Sequence, residues 1–207
     1  MPETIFKYFP SLTDVQKDKL TRLKTIYTDW NNQINVISRK DMDNFYIHHV
    51  LHSLSIAKVI SFSEGTHILD VGTGGGFPGI PLAIIFPGSE FTLLDSIGKK
   101  IKVVNAVAEE LDLKNVMPLQ KRAEEENGKY DFVISRAVTE FQKFAKLTSK
   151  NISLIGRNKM KNGILCLKGG ELKEELGKLM QSAEIWNISD FFCEPFFQTK
   201  KIVYLPV

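Results

Sequence analysis

A chain of 207 residues suits one domain with an appendage better than two full domains, and 43% hydrophobic with 25% charged residues is the composition of a core-forming globule rather than a disordered chain. A net charge of +3 at pH 7 permits an acidic partner without requiring one, and two cysteines, Cys166 and Cys193, with no C-x-x-C spacing and no His pair beside them, point away from zinc and disulfide frameworks and read as reduced core residues. No apolar run approaches the ~20 residues of a membrane span and no leader pattern opens the chain, so no membrane partner and a cytoplasmic location are expected.

The first periodic segment, residues 11 to 30, starts at Ser11 or Thr13 as a capping residue. It repeats Leu12, Val15, Leu20, Leu23, Ile26, Tyr27 and Trp30 at helical spacing, which predicts an amphipathic helix. A second helix is predicted from about Asp43 to Ser61, with Val50, Leu51, Leu54, Ala57 and Val59 on its apolar side. From residue 65 the pattern changes to short apolar runs at 67–71, 90–95, 116–120, 130–135 and 163–168, mostly separated by helical patterns at 78–86, 99–111, 139–148 and 171–180. That alternation predicts parallel strands joined by helical crossovers. Residues 183–192 and 201–205 have no long helix between them and predict an antiparallel pair closing one edge. The expected fold is α/β, a doubly wound, Rossmann-like sheet over residues 65–207, mostly parallel with an antiparallel edge, behind a small helical N-terminal cap over residues 1–64.

Between the first strand and its helix lies I-L-D-V-G-T-G-G-G-F-P-G, residues 68 to 79. A glycine-rich turn there offers a ligand free backbone N–H groups and the positive end of the helix dipole, and Pro78 suits the first helical turn. The dinucleotide fingerprint G-x-G-x-x-G does not fit. Counted from Gly72 its third glycine falls on Phe77, and counted from Gly74 it falls on Gly79, behind Pro78 and already inside the helix. What fits is D-x-G-x-G-x-G from Asp70 through Gly72, Gly74 and Gly76, which resembles the first motif of class I S-adenosylmethionine-dependent methyltransferases, a likeness extending over residues 66 to about 205. The resemblance implies a bare backbone that admits the methionine moiety and ribose, an Asp70 that orients the loop or the ligand's amino end, and an Asp95 that accepts the ribose hydroxyls. The loop Q-K-R-A-E-E (120–125) then offers Ala123 and Glu124 to the adenine.

Methyl transfer from a sulfonium is an in-line displacement, in which a protein chiefly aligns the partners and stabilises charge. The chain after the fourth strand reads I-S-R-A-V (134–138), not the Asn/Asp-Pro-Pro-Tyr/Phe turn that serves exocyclic amines. Neither cysteine lies in a polar loop suited to attack on a pyrimidine ring. An acceptor with its own lone pair, such as guanine N7, needs no general base, because no proton leaves that atom. Arg136, just beyond the fourth strand, falls on the ligand side of such a sheet and is the candidate catalytic residue, able to hold a phosphate or the guanine edge.

Four segments sharpen the likeness: W-N-x-x-x-N (Trp30, Asn31, Asn35), H-x-x-x-S-L (His49 to Leu54), the run D-V-G-T-G-G-G-F-P-G-I-P-L (70–82) and L-D-S-x-x-K-K (94–100). With I-S-R-A (134–137) and L-K-G (167–169), they resemble the glucose-inhibited division protein B family from Tyr27 to the end. The resemblance implies a bacterial methyltransferase that uses S-adenosylmethionine and acts on guanine N7 in small-subunit (16S) ribosomal RNA, free or in the assembling 30S particle. It also implies ligand contacts at Gly72, Phe77, Ala123, Glu124 and Arg136, with Asp95 and Ser96 near the ribose. One position departs from the pattern: His52 stands where the family usually has Asp.

His48, His49 and His52 read as a partly buried helix face, Trp30 as core, and Asn31 and Asn35 as RNA-facing. Lys99, Lys100 and Lys102 follow the second strand, Lys121 and Arg122 the third, Arg157, Lys159 and Lys161 precede the fifth, and Lys168 ends it. The expected RNA contacts are Asn31, Asn35, Lys99, Lys100, Arg136 and Lys168, mostly through phosphates. A monomer without a metal is expected. Two other classes stay open: a small-molecule methyltransferase lidded by the N-terminal helices, and a non-catalytic RNA-binding module on the same fold. The missing glycine at position 77 weighs against a nicotinamide dehydrogenase.

Overall fold

Strands β1 (His67–Val71), β2 (Glu90–Asp95), β3 (Val116–Gln120), β4 (Phe132–Arg136), β5 (Gly163–Gly169), β6 (Glu184–Asn187) and β7 (Lys200–Pro206) form one sheet in the order β3-β2-β1-β4-β5-β7-β6. The computed structural model describes residues 1–136 and 140–207. Ala137 of the I-S-R-A segment and Thr139, the expected start of a helix, therefore lie outside the described residues. Strands β1 to β5 run parallel, and β7 is antiparallel to both β5 and β6, as the patterning led us to expect. Pro118 is tolerated because β3 lies at the sheet edge.

Both faces of the sheet are covered, and the strand period of two divides the side chains between them. Ile68, Phe132, Ile134, Leu165 and Leu167 join one core with α2 (Asp14–Asn31), α4 (Gly79–Ile85) and α5 (Gly98–Glu110). Leu69, Val71, Val133, Ile164 and Cys166 join another with α6 (Phe141–Thr148) and α7 (Lys173–Leu176). Leu20, Leu23 and Ile26 of α2 share the first core with Phe91 and Leu93 of β2. Residue 65 thus marks where the sheet begins, not a break in packing.

Helix α2 starts at Thr13, not Ser11. The Thr13 Oγ1 accepts from Gln16 N at 3.3 Å while Gln16 Oε1 accepts from Thr13 N at 2.9 Å, a reciprocal capping box. Val15 lies on its outer face, 64% exposed, because it falls off the stripe set by Leu20, Leu23 and Ile26. A short helix α1 (Glu3–Tyr8) precedes it.

The expected second helix is not regular. Residues 39 to 58 form a 3₁₀ turn (Arg39–Asn44), a π-helix (Phe45–Leu51), one α turn, α3 (His52–Leu54), and a further 3₁₀ turn (Ser55–Lys58). Apolar periodicity over so few turns does not separate a wide helix from an ordinary one. Further on, α7 gives way at Gly177, φ +52°, to a 3₁₀ turn, and the expected strand at 183–192 pairs only through Asn187 before the chain turns at Ile188–Asp190. Cys166 is buried as expected. Cys193 is exposed, in the turn before Pro195, where the Tyr8 hydroxyl meets its sulfur at 3.0 Å.

Candidate active site

The glycine loop is anchored to β2: Gly72 N and Thr73 N both donate to Leu94 O, at 2.8 and 3.0 Å. Its glycines serve two different ends. A Cβ built on Gly72 or Gly74, both at positive φ, meets no atom within 4 Å, so the backbone there is open. A Cβ on Gly75 would press on Val36 at 3.0 Å, and one on Gly79 would collide with Leu93 and come within 2.9 Å of Asp70. Gly75 and Gly79 therefore let the loop and α4 close onto their neighbours. Pro78 stands one residue before α4, after a cis Phe77–Pro78 bond, rather than within the helix's first turn.

Asp70 is fully buried beneath this loop. Its Oδ2 accepts from Thr73 Oγ1 at 2.7 Å and from Gly79 N at 2.9 Å, so it fastens the loop to the start of α4. Burial pushes its carboxyl up to about 7, against the hydrogen bonds from Thr73 and Gly79 and the nearby Arg136 cation. Asp95, at the end of β2, accepts from Gly74 N at 3.0 Å and Ile97 N at 2.9 Å and lies 3.5 Å from Lys100 Nζ.

A cavity of about 430 Å³ opens at the carboxyl ends of β1, β2 and β3. It is lined by Gly72, Asp95, Ser96, Lys100, Ala123 and Glu124 together with Val71, Leu94, Ile97, Lys121 and Arg122. Six of the expected ligand and RNA contacts thus meet in one place. Asp70, Gly74 and Phe77 do not line it, and Gly74 joins it only through Asp95. A larger cavity, of about 530 Å³, lies between Lys19, Glu90 and Met117 near the opposite ends of β2 and β3, away from the glycine loop.

Arg136 belongs to a second constellation on the other side of β1. Its guanidinium lies 5.1 Å from the centre of the buried Phe77 ring, donates from Nη1 to His48 O at 3.3 Å, and donates from Nη2 to His49 Nδ1 at 3.1 Å. Because Arg136 can only donate, His49 Nδ1 must accept, and its Nε2–H donates to Asp41 Oδ2 at 2.6 Å. The other oxygen, Asp41 Oδ1, takes a hydrogen bond from His48 Nδ1 at 2.5 Å. Burial, reinforced by Arg136, lowers His49 to about 4 and keeps it neutral. Burial opposes ionisation of Asp41, but its two histidine donors outweigh that and hold the carboxyl below its usual range. Arg136 itself is lowered by burial only to about 10 and stays cationic.

This network lines a cavity of about 400 Å³ at the ends of β4 and β5, whose other walls include Lys168, Glu175, Phe196 and Lys200. His52 borders it too, with a buried Nε2 that has no hydrogen-bond partner among the described residues, and burial drives its pKa down.

A family model described as GidB, rRNA small subunit methyltransferase G, matches residues 16–203. The chain belongs to that family. A relative from Christiangramia forsetii, named ribosomal RNA small subunit methyltransferase G, is 56% identical over 205 residues, covering 99% of this chain and 97% of the relative. One from Phocaeicola vulgatus, of the same name, is 53% identical over 205 residues, covering 99% of this chain and 98% of its own. Among solved structures, a SAM-dependent O-methyltransferase from Thermotoga maritima aligns with a TM-score of 0.60 at 16% identity, over 81% of this chain and 70% of that one. Aeropyrum pernix fibrillarin, solved with natively bound S-adenosyl-L-methionine, aligns at 0.54 and 15% identity, over 75% and 73%. The fold is that of class I methyltransferases, and S-adenosylmethionine is the methyl donor of this GidB chain. The open backbone at Gly72 and Gly74 beside an acidic strand end fits that donor.

Two RNA contacts expected from the sequence are corrected by this geometry. Asn31 is 6% exposed and turned inward, its Oδ1 accepting from Val36 N and Ile37 N and its Nδ2 donating to Ile37 O, so it closes the turn after α2. Lys168 is 7% exposed and ion-paired with Glu175 at the wall of the second cavity, not a solvated phosphate ligand. Asn35 and Lys99 are exposed and Lys100 is half-buried. Arg157, Lys159 and Lys161 precede β5 and lie at its amino end, opposite the ligand side, with Arg157 Nε 3.5 Å from Asp131. Asp41, Glu175 and Lys200 were not singled out from the sequence. Asp41 and Glu175 have no signal there beyond proximity to H-x-x-x-S-L and L-K-G, which says nothing about a shared cavity, and Lys200 is near neither.

Proposed function

We propose that the chain methylates N7 of a guanine in small-subunit ribosomal RNA, free or within the assembling particle. The observation that carries the reading is the second cavity, walled at the end of the strand next to β1 by Arg136, a cation that can only donate. The His48 carbonyl and His49 Nδ1 accept from that guanidinium and fix it, and Asp41 holds both imidazoles in turn. A fixed donor of that kind suits the edge of guanine that presents N7 and O6 as acceptors.

When bound, S-adenosylmethionine supplies a sulfonium methyl, whose S–C bond breaks as the N7 lone pair forms the new N–C bond. Gly72 and Gly74 would border its methionine and ribose, Asp95 and Ser96 the ribose hydroxyls, and Ala123 and Glu124 the adenine. Asp70 acts through the loop it fastens, and Phe77 through the guanidinium it supports. Arg136, fixed by His49 and His48, serves as the catalytic residue by holding the guanine edge that carries N7 and O6 in line for transfer. Residues 1–64, with Asn35 exposed, and Lys99 and Lys100 of the methyltransferase part would meet the RNA. The protein works in the cytoplasm as a monomer.

Mass-spectrometric mapping of small-subunit RNA, from cells lacking the protein and from cells carrying wild type or Arg136→Ala, tests this. N7-methylguanine at one nucleotide should vanish, return with wild type and stay absent with the variant. A methyl group at another atom, or full activity in the variant, rules the reading out.

A further inference from the structure

We infer that Glu175 reads the N1–H and N2–H₂ edge of the acceptor guanine, selecting guanine and answering the charge that methylation leaves on it; this rests on the N7 reading above. Two carboxylates line the second cavity, Asp41 and Glu175. Asp41 has both oxygens engaged by His48 and His49. Glu175 uses only Oε1, which is ion-paired with Lys168 and accepts from Phe141 N at 3.2 Å. Its Oε2 makes no hydrogen bond among the described residues, and its side chain keeps 24% exposure at the cavity wall. Lys168 and the Phe141 amide hold this carboxylate in place, as a base-reading acceptor needs.

The chemistry of guanine matches this arrangement. Its N7 and O6 lie on one edge, where the Arg136 cation suits O6. The adjoining edge presents N1–H and N2–H₂, two donors side by side, which a carboxylate accepts together. Adenine would turn a bare N1 lone pair and a C–H toward Glu175 and be rejected. No proton leaves N7, so the transferred positive charge ends on the base and makes N1–H a stronger donor. The hydrogen bond to Glu175 therefore strengthens as transfer proceeds, which is the kind of interaction that speeds a reaction rather than only tightening binding.

Small-subunit RNA ligated to carry guanine or inosine at the modified nucleotide, assembled into particles, tests the role. Inosine lacks only the 2-amino group. Wild type should have a kcat/KM on the order of 10- to 100-fold lower for inosine than for guanine. In Glu175→Gln the guanine rate should fall comparably and the guanine preference vanish or invert, since Lys168 and the Phe141 amide keep the amide oxygen and turn its NH₂ toward the guanine donors. Each ratio is measured on one enzyme preparation, so the active fraction cancels and partial misfolding does not imitate the result. Calorimetric affinity for S-adenosylmethionine should be unchanged in the variant. Equal wild-type rates on both substrates, or a wild-type ratio retained by Glu175→Gln, overturns the role of Glu175. A product methylated elsewhere than N7 overturns instead the reading on which it rests.

Discussion

A methyl group added at Gly72 and one added at Gly79 should do opposite things, although the two share one loop. At Gly72 the added carbon enters open space beside the first cavity, and φ is +70°, so Gly72→Ala costs about 1–2 kcal/mol of backbone strain while blocking the approach of a ligand. At Gly79 it strikes Leu93 and crowds Asp70, so Gly79→Ala should lose several degrees of melting temperature. Calorimetry and thermal melts on the two variants should separate them: lost donor binding on a nearly intact fold for the first, a damaged fold for the second. Equal loss of stability in both would refute the division of labour. A second residue-scale consequence comes from His49, lowered from 6.5 to about 4. The fold favours its neutral form, so that stabilisation is complete above 6.5, declines as pH falls through the interval, and is gone below about 4. Removing the imidazole with His49→Gln should make the fall in stability across this window shallower by about 1.4 kcal/mol per pH unit in urea titrations, though the variant starts lower at neutral pH. An unchanged slope would mean that His49 titrates normally.

At the scale of elements, α2 matters to the site because it clamps the glycine loop. The Tyr27 hydroxyl, buried and held protonated by that burial, donates to Gly75 O, and its ring packs 4.9 Å from Phe77 and 5.4 Å from Phe45. Tyr27→Phe keeps the ring contacts and leaves the Gly75 carbonyl unpaired, a loss of about 1–3 kcal/mol. It should show as a lower urea midpoint together with several-fold weaker donor binding in calorimetry, whereas a drop in stability with unaltered donor binding would make the clamp purely structural. Such couplings mark where sequence reasoning ran out. The parallel strands, the antiparallel edge, a helix capped at Ser11 or Thr13 and six of the residues lining the first cavity were legible, because period-two and helical patterns and a glycine loop with an acidic partner are local signals. The second cavity was not. It depends on a π-helix that sets His48 and His49 on one carboxylate, on Glu175 from a single-turn helix, and on Phe196 and Lys200 at the turn into β7. These residues meet only through tertiary packing. Asn31 misled for the same reason: an amide beside a helix end reads as a surface ligand until the turn it closes is seen.

For the whole molecule, the charge that meets RNA should lie at one pole. The net charge is only +3, so a diffuse field is weak, and exposed charges more than ~10 Å apart are largely screened at 0.1 M salt. Lys99 and Arg122 are exposed next to the carboxyl ends of β2 and β3, Arg122 lining the first cavity, while Lys159 and Lys161 are exposed at the amino end of β5. The double variants Lys99→Glu/Arg122→Glu and Lys159→Glu/Lys161→Glu carry the same net charge, so any difference between them reports position rather than global field. If the carboxyl pole binds the phosphates, the first pair should lower kcat/KM on small-subunit particles and flatten its dependence on salt by about 0.7 to 0.9 in log–log slope per contact removed. The second pair should leave the slope close to that of wild type. Equal effects would reduce the RNA interaction to net charge. A larger effect from the second pair would turn the molecule over on its substrate, with the exposed Leu154 and Ile155 beside those lysines becoming part of the contact.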